Sequence, residues 1–314
     1  MSQFSKPTVL FVVGPTASGK SDLALKIAQM FQAPIINGDS LQVYRSLNIG
    51  TAKPTSRERS LVPHFLFGHI DDGESYTAGD YRREVLELLR RETNTPLWII
   101  VGGSGFYLQA LEKGMFDVPT VPTSISDKWK SRLQEKGHAF LYQALKNQDP
   151  DWAEKINEED SYRLVRALSV MEMTQKSMSD LEREFQQKKM GLSEDYQILK
   201  LGVSMDRERL RQRVTIRLHK MLENGFQEEV EALLKKGLSL WPPLESVGYK
   251  EMVQFLRKEI SESERDELII RNTMRLAKRQ RTWFQRDSEI FWLDGNANPF
   301  DLSVPWLNKV YCSN

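Results

Sequence analysis

The segment from Gly14 to Ser21 has the residue types and spacing of a phosphate-binding loop, called the P-loop below. Its two glycines enclose four residues and are followed by a lysine and a serine. Glycines let the backbone curl so that successive N–H groups converge on an oxyanion, and the following helix N-terminus adds partial positive charge. The lysine adds a full charge, and the serine hydroxyl suits a phosphate-bound Mg²⁺. The candidate phosphate ligands are Gly14, Pro15, Thr16, Ala17, Ser18, Gly19, Lys20 and Ser21, with Ser21 as the candidate metal ligand.

Two features of nucleotide-hydrolysing P-loop enzymes are missing from the sequence, and their absence bears on which phosphate compound the loop binds. A P-loop enzyme that hydrolyses ATP usually carries an acidic residue after a neighbouring strand, where it holds Mg²⁺. Here the apolar run 96–101 is followed by Gly102-Gly103-Ser104-Gly105, and no Asn-Lys-x-Asp signature for guanine occurs. Both absences argue against a standard NTPase and favour a diphosphate carried by another substrate.

Asp39 is the candidate for acid–base chemistry. It follows the short apolar segment 34–37, and ligands of doubly wound sheets bind beyond the carboxyl ends of the strands. The carboxylate is therefore expected on the same sheet edge as the P-loop, as a general base or a Mg²⁺ ligand. The alternative is an aspartate that caps the next turn. His64 and His69 flank an apolar strand without further metal-ligand types and are interpreted as structural.

Positive charge is concentrated in two segments, although the net charge is only +1. Residues 206–220 carry five arginines, and residues 271–286 carry basic residues interleaved with Trp283 and Phe284. Such helices often form solvated faces, but arginines beside aromatic rings also suit RNA phosphates and stacked bases. One arginine could instead clamp a departing phosphate group.

A predicted parallel α/β sheet positions these residues. Extended runs alternate with helical patterns, as in βαβ units, whereas the region after a Pro-, Thr- and Ser-rich stretch at 117–126 has helical patterns only. The predicted strands are 8–13, 34–37, 64–70, 96–101, 197–203 and 289–293. The predicted fold class is α/β, with a P-loop-type parallel sheet core of residues 1–119 and 196–314 and a helical insertion domain at 120–195.

Composition excludes several classes. Of 314 residues, 40% are hydrophobic and 28% charged, which is typical of a globular protein. The single cysteine, Cys312, leaves no internal disulfide or cysteine metal site. No apolar run approaches the roughly 18 residues of a membrane span, and the N-terminus lacks the pattern of a signal peptide. We expect a cytoplasmic monomer without a membrane partner.

Seven segments, taken together and in order, resemble the tRNA dimethylallyltransferase (tRNA isopentenyltransferase) family, and the likeness extends over nearly the whole chain. The segments are Gly14–Ser21, Asp39–Tyr44, Gly50–Pro54, Val101–Tyr107, Arg163–Leu168, Val247–Glu251, and Ala277–Gln280 with Thr282-Trp283. Two departures stand out: Ser104 replaces the family's usual threonine, and residues 120–135 match poorly.

The resemblance implies transfer of a dimethylallyl group from its diphosphate to N6 of the adenosine immediately 3′ of a tRNA anticodon. The P-loop would hold the prenyl diphosphate with Mg²⁺, Asp39 would take the N6 proton, and Thr16 and Arg217 would act on the diphosphate. The insertion would contact tRNA. The implied contacts with the anticodon stem-loop are Asp39, Ser40, Leu41, Gln42, Ser104, Tyr162, Arg163, Leu164, Val165, Arg166, Val247, Gly248, Tyr249, Lys250, Lys278 and Arg279.

Two other functions fit parts of the sequence. A kinase of a small metabolite would use Lys20 and Asp39 around ATP and Mg²⁺. A non-catalytic RNA-binding protein would keep the basic helices without needing Asp39. A titration that compares the binding of ATP with that of dimethylallyl diphosphate distinguishes the kinase from the prenyltransferase. Replacement of Asp39 by alanine distinguishes the non-catalytic RNA-binding protein, whose role would survive it.

Overall fold

Parallel strands form the centre of the structure, a computed structural model that describes residues 6–115, 121–187 and 191–311. Within these residues the strands form one sheet, in the order β3-β2-β4-β1-β5-β6, and every pair is parallel. The strands are β1 (Thr8–Val13), β2 (Ile35–Asn37), β3 (His64–Phe65), β4 (Leu97–Gly102), β5 (Gln197–Ser204) and β6 (Phe291–Asp294). The predicted fold class, an α/β P-loop-type parallel sheet core, is confirmed.

Helices connect and flank these strands. Two single-turn 3₁₀ helices, Leu192–Glu194 and Pro242–Glu245, complete the regular structure of the described residues. The α-helices are α1 (Lys20–Phe31), α2 (Ser56–Leu61), α3 (Ala78–Arg91), α4 (Gly105–Lys113), α5 (Thr123–Gln148), α6 (Pro150–Ala153), α7 (Ser161–Thr174), α8 (Met178–Gln187), α9 (Arg207–Glu223), α10 (Phe226–Lys235), α11 (Tyr249–Leu256), α12 (Glu262–Phe284) and α13 (Pro299–Val310).

The sheet positions agree with the sequence-based strands except at two places. The third strand ends at Phe65, not at residue 70, because Leu66 and Gly68 have φ of +62° and +64° and turn the chain out of the extended conformation. The last strand begins at Phe291, two residues later than predicted. The apolar composition predicted the existence of both strands, but it does not predict where a left-handed residue ends a strand.

The central strands β1 and β4 are buried along their whole length, as expected for a parallel sheet covered on both faces. Leu10 and Val12 of β1 pack with Leu23 and Ile27 of α1 in the main core cluster. A second cluster joins helices α9 to α12 to the loop after β2. These two clusters hold the carboxyl ends of β1, β2 and β4 against one another.

Two glycines permit the close approach of backbone at those ends. Gly14 has φ of +143°, and a Cβ there would lie 2.7 Å from the carbonyl oxygen of Val203. A Cβ on Gly102 would lie 1.9 Å from the carbonyl oxygen of Gly38. Both contacts are too short for any side chain, so the P-loop approaches β5, and the end of β4 approaches the loop after β2, only because these positions are glycine.

The chain divides into two units, Met1–Glu112 with Leu192–Asn314, and Lys113–Gly191. The second unit consists of α5 to α8 around its own apolar cluster, and α5 is interrupted at Gly137, whose φ is +76°. Helix α5 begins at Thr123, inside the stretch predicted as a linker; residues 117–120 and Cys312 lie outside the described residues. Among the described helices, none has the length and apolarity required to cross a bilayer.

Candidate active site

The P-loop connects β1 to α1 and delivers Lys20 to the first position of the helix. Gly19 caps the helix with φ of +95°, a left-handed conformation that glycine adopts without strain. The Nζ of Lys20 donates to the carbonyl oxygen of Pro15 at 3.2 Å. Burial lowers the pKa of Lys20 to about 8, an effect that Asp39 opposes and that Arg217 reinforces. The ammonium group is thus held in a desolvated position where an anion would stabilise its charge.

Asp39 lies directly beyond β2 and is oriented by Asn37. The side chain of Asn37, which is fully buried, accepts from the N–H of Asp39 at 2.8 Å and donates to the carbonyl oxygens of Asp39 and Leu66. The Oδ1 of Asp39 accepts from the N–H of Leu41 at 2.9 Å, so the turn-capping interpretation also holds. Its Oδ2 accepts no hydrogen bond from a described residue and is available to a substrate proton.

Arg217, on α9, reaches the P-loop. Its Nη1 donates to the Oγ1 of Thr16 at 3.2 Å, and its Nη2 donates to the carbonyl oxygen of Thr51 at 3.4 Å. Burial lowers the pKa of Arg217, while Asp39 and Tyr249 raise it. The three side chains expected to act on donor and acceptor, Asp39, Thr16 and Arg217, therefore lie in one region.

A cavity of about 340 Å³ opens at this region. Its polar lining comprises P-loop residues, Asp39 and two arginines of α9, and its apolar lining includes Leu25, Ile35, Phe67 and Val101. A cavity lined by both ionic and apolar groups fits a ligand that carries both phosphate and a small hydrocarbon group. The lining residues are Thr16, Ala17, Gly19, Lys20, Ser21, Asp22, Leu25, Ile35, Asp39, Gln42, Thr51, Ala52, Pro54, Glu58, His64, Phe67, Val101, Gly102, Arg213 and Arg217.

Gln280, on α12, joins two of the loops that form this region. Its Oε1 accepts from the N–H of Thr16 at 2.8 Å, and its Nε2 donates to the carbonyl oxygen of Gly103 at 3.0 Å. The sequence analysis assigned it no role, although it ends the segment that contains Lys278 and Arg279. The only sequence signal for Gln280 is that it belongs to the segment Ala277–Gln280, one of the seven that resemble the family.

Ser104 links the loop after β4 to the loop after β2. Its Oγ accepts from the N–H of Ser40 at 2.9 Å and lies 3.1 Å from the Oγ of Ser40. The replacement of threonine by serine thus preserves the hydroxyl that makes both contacts. Gln42, also in the loop after β2, contacts the loop that carries Thr51: its Nε2 donates to the carbonyl oxygen of Thr51 at 2.9 Å.

Glu229, on α10, is a second residue that sequence reasoning missed. Its carboxylate accepts from the backbone N–H groups of Asn48, Ile49 and Gly50 at 2.9, 2.7 and 3.2 Å. The hydroxyl of Tyr249 donates to the same carboxylate at 2.6 Å. Glu229 therefore anchors the loop that carries Thr51 into the cavity wall. No local motif marks it.

The remaining candidate tRNA contacts in the first unit differ in exposure. Lys250, Lys278 and Arg279 are exposed, whereas Leu41 and Val247 are half-buried. Gly248 and Tyr249 are buried. The Tyr249 side chain is fully occupied by the second core cluster and by Glu229, so any contact of Gly248 and Tyr249 with RNA is left to their backbone.

The same distinction holds for the segment at the start of α7 in the second unit. Tyr162 is 78% exposed, and Arg163 and Arg166 also face solvent. Leu164 and Val165 pack in the apolar cluster of that unit. Their side chains are structural, so the exposed side chains of this segment are those of Tyr162, of Arg166 and of Arg163, which also pairs with Asp160.

A parallel sheet with a phosphate-binding loop after β1, a basic clamp from α9 and a carboxylate after β2 defines a P-loop-type α/β protein that binds a phosphorylated compound. The IPP transferase family model matches residues 42–287, and the chain belongs to this family.

Relatives and solved structures agree with that membership. The chain is 44% identical over 292 residues to the tRNA dimethylallyltransferase of Bdellovibrio bacteriovorus, covering 93% of this chain and 94% of that protein. It is 39% identical over 308 residues to the tRNA dimethylallyltransferase of Synechocystis sp., with coverage of 97% and 96%.

Two solved structures are similar over nearly the whole chain. The tRNA isopentenylpyrophosphate transferase of Bacillus halodurans matches with a TM-score of 0.70 at 28% identity, covering 98% of this chain and 96% of that one. A eukaryotic dimethylallyltransferase, solved while acting on tRNA, matches with a TM-score of 0.77 at 27% identity, covering 98% of this chain and 77% of the other.

Proposed function

We propose that this protein transfers a dimethylallyl group from dimethylallyl diphosphate to N6 of the adenosine immediately 3′ of a tRNA anticodon. The observation that carries the proposal is the convergence of Asp39, Lys20 and Arg217 on one cavity lined by ionic and apolar groups. Family membership supports the reaction class, and the cavity lining supports the choice of residues.

The N6 amine is a poor nucleophile because its lone pair is delocalised into the adenine ring. Its lone pair attacks C1 of the dimethylallyl group, the C–O bond breaks, and diphosphate leaves with the bonding electrons. The N6 proton passes to the free Oδ2 of Asp39, which Asn37 and the N–H of Leu41 hold in place. A positioned base of this kind contributes roughly 10²–10⁴ in rate.

The leaving diphosphate gains negative charge as the C–O bond breaks. The Lys20 ammonium, the Thr16 hydroxyl and the Arg217 guanidinium line the cavity next to the start of α1, whose N–H groups are further donors. Each such preorganised donor is worth on the order of 10²–10³ in rate. Stabilisation of the leaving group therefore outweighs the contribution of the base.

Ser21 is the residue that fits a Mg²⁺ ion. Its hydroxyl is exposed, lines the cavity beside Lys20 and makes no hydrogen bond with a described residue. An oxygen donor next to a phosphate site is the ligand type that Mg²⁺ takes, with the remaining positions filled by phosphate oxygens and water. A bound ion would neutralise charge on the diphosphate.

The tRNA partner is recognised through its anticodon stem-loop. In single-stranded loops the target base leaves the stack at lower cost than in a duplex. The exposed side chains of Lys250, Lys278 and Arg279, and of Tyr162, Arg163 and Arg166 in the second unit, meet the RNA. We propose that the protein acts as a monomer in the cytoplasm, where its tRNA substrate is found.

The test is incubation of the protein with tRNA and labelled dimethylallyl diphosphate, followed by digestion and nucleoside analysis. We expect label on N6 of the adenosine next to the anticodon and release of one diphosphate per transfer. A calorimetric titration with ATP serves as the control and is expected to show weaker binding than the prenyl diphosphate. Rapid ATP consumption with unmodified tRNA would overturn the proposal.

A further inference from the structure

Arg213 lies one helical turn before Arg217 on α9, so both side chains project from the same face of the helix. Both residues line the cavity. Arg217 is committed to Thr16 and to the carbonyl oxygen of Thr51. Arg213 makes no hydrogen bond or ion pair with a described residue, although it is next to the charged part of the cavity.

The guanidinium of Arg213 is placed against the P-loop backbone. A Cβ on Gly19 would lie 3.2 Å from its Nη2, 3.6 Å from its Nη1 and 3.7 Å from its Cζ. A side chain at position 19 would therefore displace the arginine. The glycine allows the guanidinium to reach the point where the N–H groups at the start of α1 become available to an anion.

Arg213 is an exposed residue that lies among other positively charged groups. The N-terminus of a helix carries a partial positive charge, and the ammonium of Lys20 and the guanidinium of Arg217 line the same cavity. Of the three acidic lining residues, Asp39 accepts from the N–H of Leu41, and Glu58 is engaged by the N–H and hydroxyl of Thr55. Neither of these two nor Asp22 makes an ion pair with Arg213, so its guanidinium is available to an anionic ligand.

We infer that Arg213 is a direct ligand of the diphosphate, acting with Arg217 as a two-arginine clamp against the P-loop. This inference rests on the proposed function and adds a residue to it. The planar guanidinium presents parallel N–H donors that match two phosphate oxygens, a geometry that lysine does not supply. Arg213 binds the diphosphate before and after C–O cleavage, so it contributes mainly to donor binding.

The experiment compares Arg213→Ala and Arg213→Lys with Arg211→Ala, which removes an exposed arginine of the same helix that does not line the cavity. Binding of inorganic pyrophosphate and of dimethylallyl diphosphate is measured by calorimetry, and KM is measured for donor and for tRNA separately. Thermal melting establishes that each variant is folded.

We expect Arg213→Ala to weaken pyrophosphate and donor binding by roughly tenfold to a hundredfold, with kcat and the KM for tRNA little changed. Arg213→Lys should lose less affinity, because lysine keeps the positive charge but lacks the parallel N–H donors of the guanidinium. Arg211→Ala should bind both ligands as the wild type does. Unchanged pyrophosphate affinity in Arg213→Ala, or a rise in KM for tRNA alone, would overturn the assignment while leaving transfer by the wild type intact. A wild-type protein that neither binds pyrophosphate nor transfers the prenyl group would overturn the proposed function, and the role of Arg213 with it.

Discussion

Arg217 and Thr16, which are 201 positions apart in the chain, are joined by a hydrogen bond of 3.2 Å from Nη1 to Oγ1. The bond fixes the side chain of a P-loop residue to a guanidinium from α9. It also places the positive charge of Arg217 beside the loop. The proposed clamp on the diphosphate is therefore held in position by a contact within the protein itself.

The first prediction concerns this pair. Arg217→Ala should reduce kcat/KM for dimethylallyl diphosphate by on the order of 10²–10³, because a donor to the developing charge is lost, with little change in tRNA affinity. Thr16→Val should have a smaller effect, and the double variant should lose less than the sum of both, because the two side chains act together. An additive double variant would show that the hydrogen bond does not couple them.

The second prediction separates the base from the turn that holds it. Asp39→Asn keeps an oxygen that can accept from the N–H of Leu41, so the loop after β2 should retain its conformation. Single-turnover transfer should nevertheless fall by roughly 10²–10⁴, while the affinities for tRNA and pyrophosphate stay near those of the wild type. Equal transfer rates in the variant and the wild type would remove Asp39 from the reaction.

Local sequence was sufficient to predict the residues that act together within one short segment. The P-loop is contiguous from Gly14 to Ser21, and Asp39 directly follows a recognisable strand. The positions of these residues depend on a curved glycine-rich backbone, the start of a helix and the end of a strand. Each of these three features has a recognisable local sequence pattern.

The supporting residues were not predictable in that way. Gln280 contacts the N–H of Thr16 from 264 positions away, and Glu229 contacts the N–H of Ile49 from 180 positions away. Both bind backbone atoms, so their partners carry no distinctive side chain. Such contacts depend on how helices pack against loops, and a single sequence contains no local signal for them.

The third prediction concerns pH. The ordinary pKa of a lysine side chain is near 10.5, and burial lowers the pKa of Lys20 to about 8. The ammonium therefore loses its charge as the pH rises through about 8, and kcat/KM for the donor should fall in the same range. Bound diphosphate stabilises the charged form, so the corresponding fall in kcat should occur at higher pH. Lys20→Arg stays charged and should show no inflection near pH 8; the same inflection in that variant would assign the titration to another group.

The fourth prediction concerns the anchor of the cavity loop. Glu229→Gln exchanges one acceptor oxygen for an amide group that must face backbone N–H donors and the hydroxyl of Tyr249. We expect a loss of about 1–3 kcal/mol in the free energy of unfolding and a higher KM for the donor, because Thr51 lines the cavity. The matched control is Glu228→Gln, which alters an exposed neighbour that makes no hydrogen bond with a described residue. Equal stability of the two variants in denaturant titrations would contradict the role of Glu229.

The fifth prediction concerns a buried lysine on β5. Lys200 is 5% exposed, and its Nζ lies 2.5, 2.7 and 2.8 Å from carboxylate oxygens of Glu112, Asp287 and Glu289. Burial alone would lower its pKa, but the three carboxylates raise it above its ordinary value. The ammonium therefore stays charged and neutralises an acidic cluster whose oxygens lie within 4.8 Å of one another.

Lys200→Met should lower the free energy of unfolding by about 1–3 kcal/mol, because it removes the ammonium that pairs with three partly solvent-exposed carboxylates. Part of this loss should be recovered at acidic pH, where the carboxylates take up protons, or in the presence of Ca²⁺, whose preferred ligands are carboxylate oxygens. The control is Lys26→Met, at an exposed lysine of α1 that makes no ion pair with a described residue. If Lys200→Met unfolds at the same denaturant concentration as Lys26→Met, with no response to Ca²⁺, the cluster does not depend on the lysine for its stability.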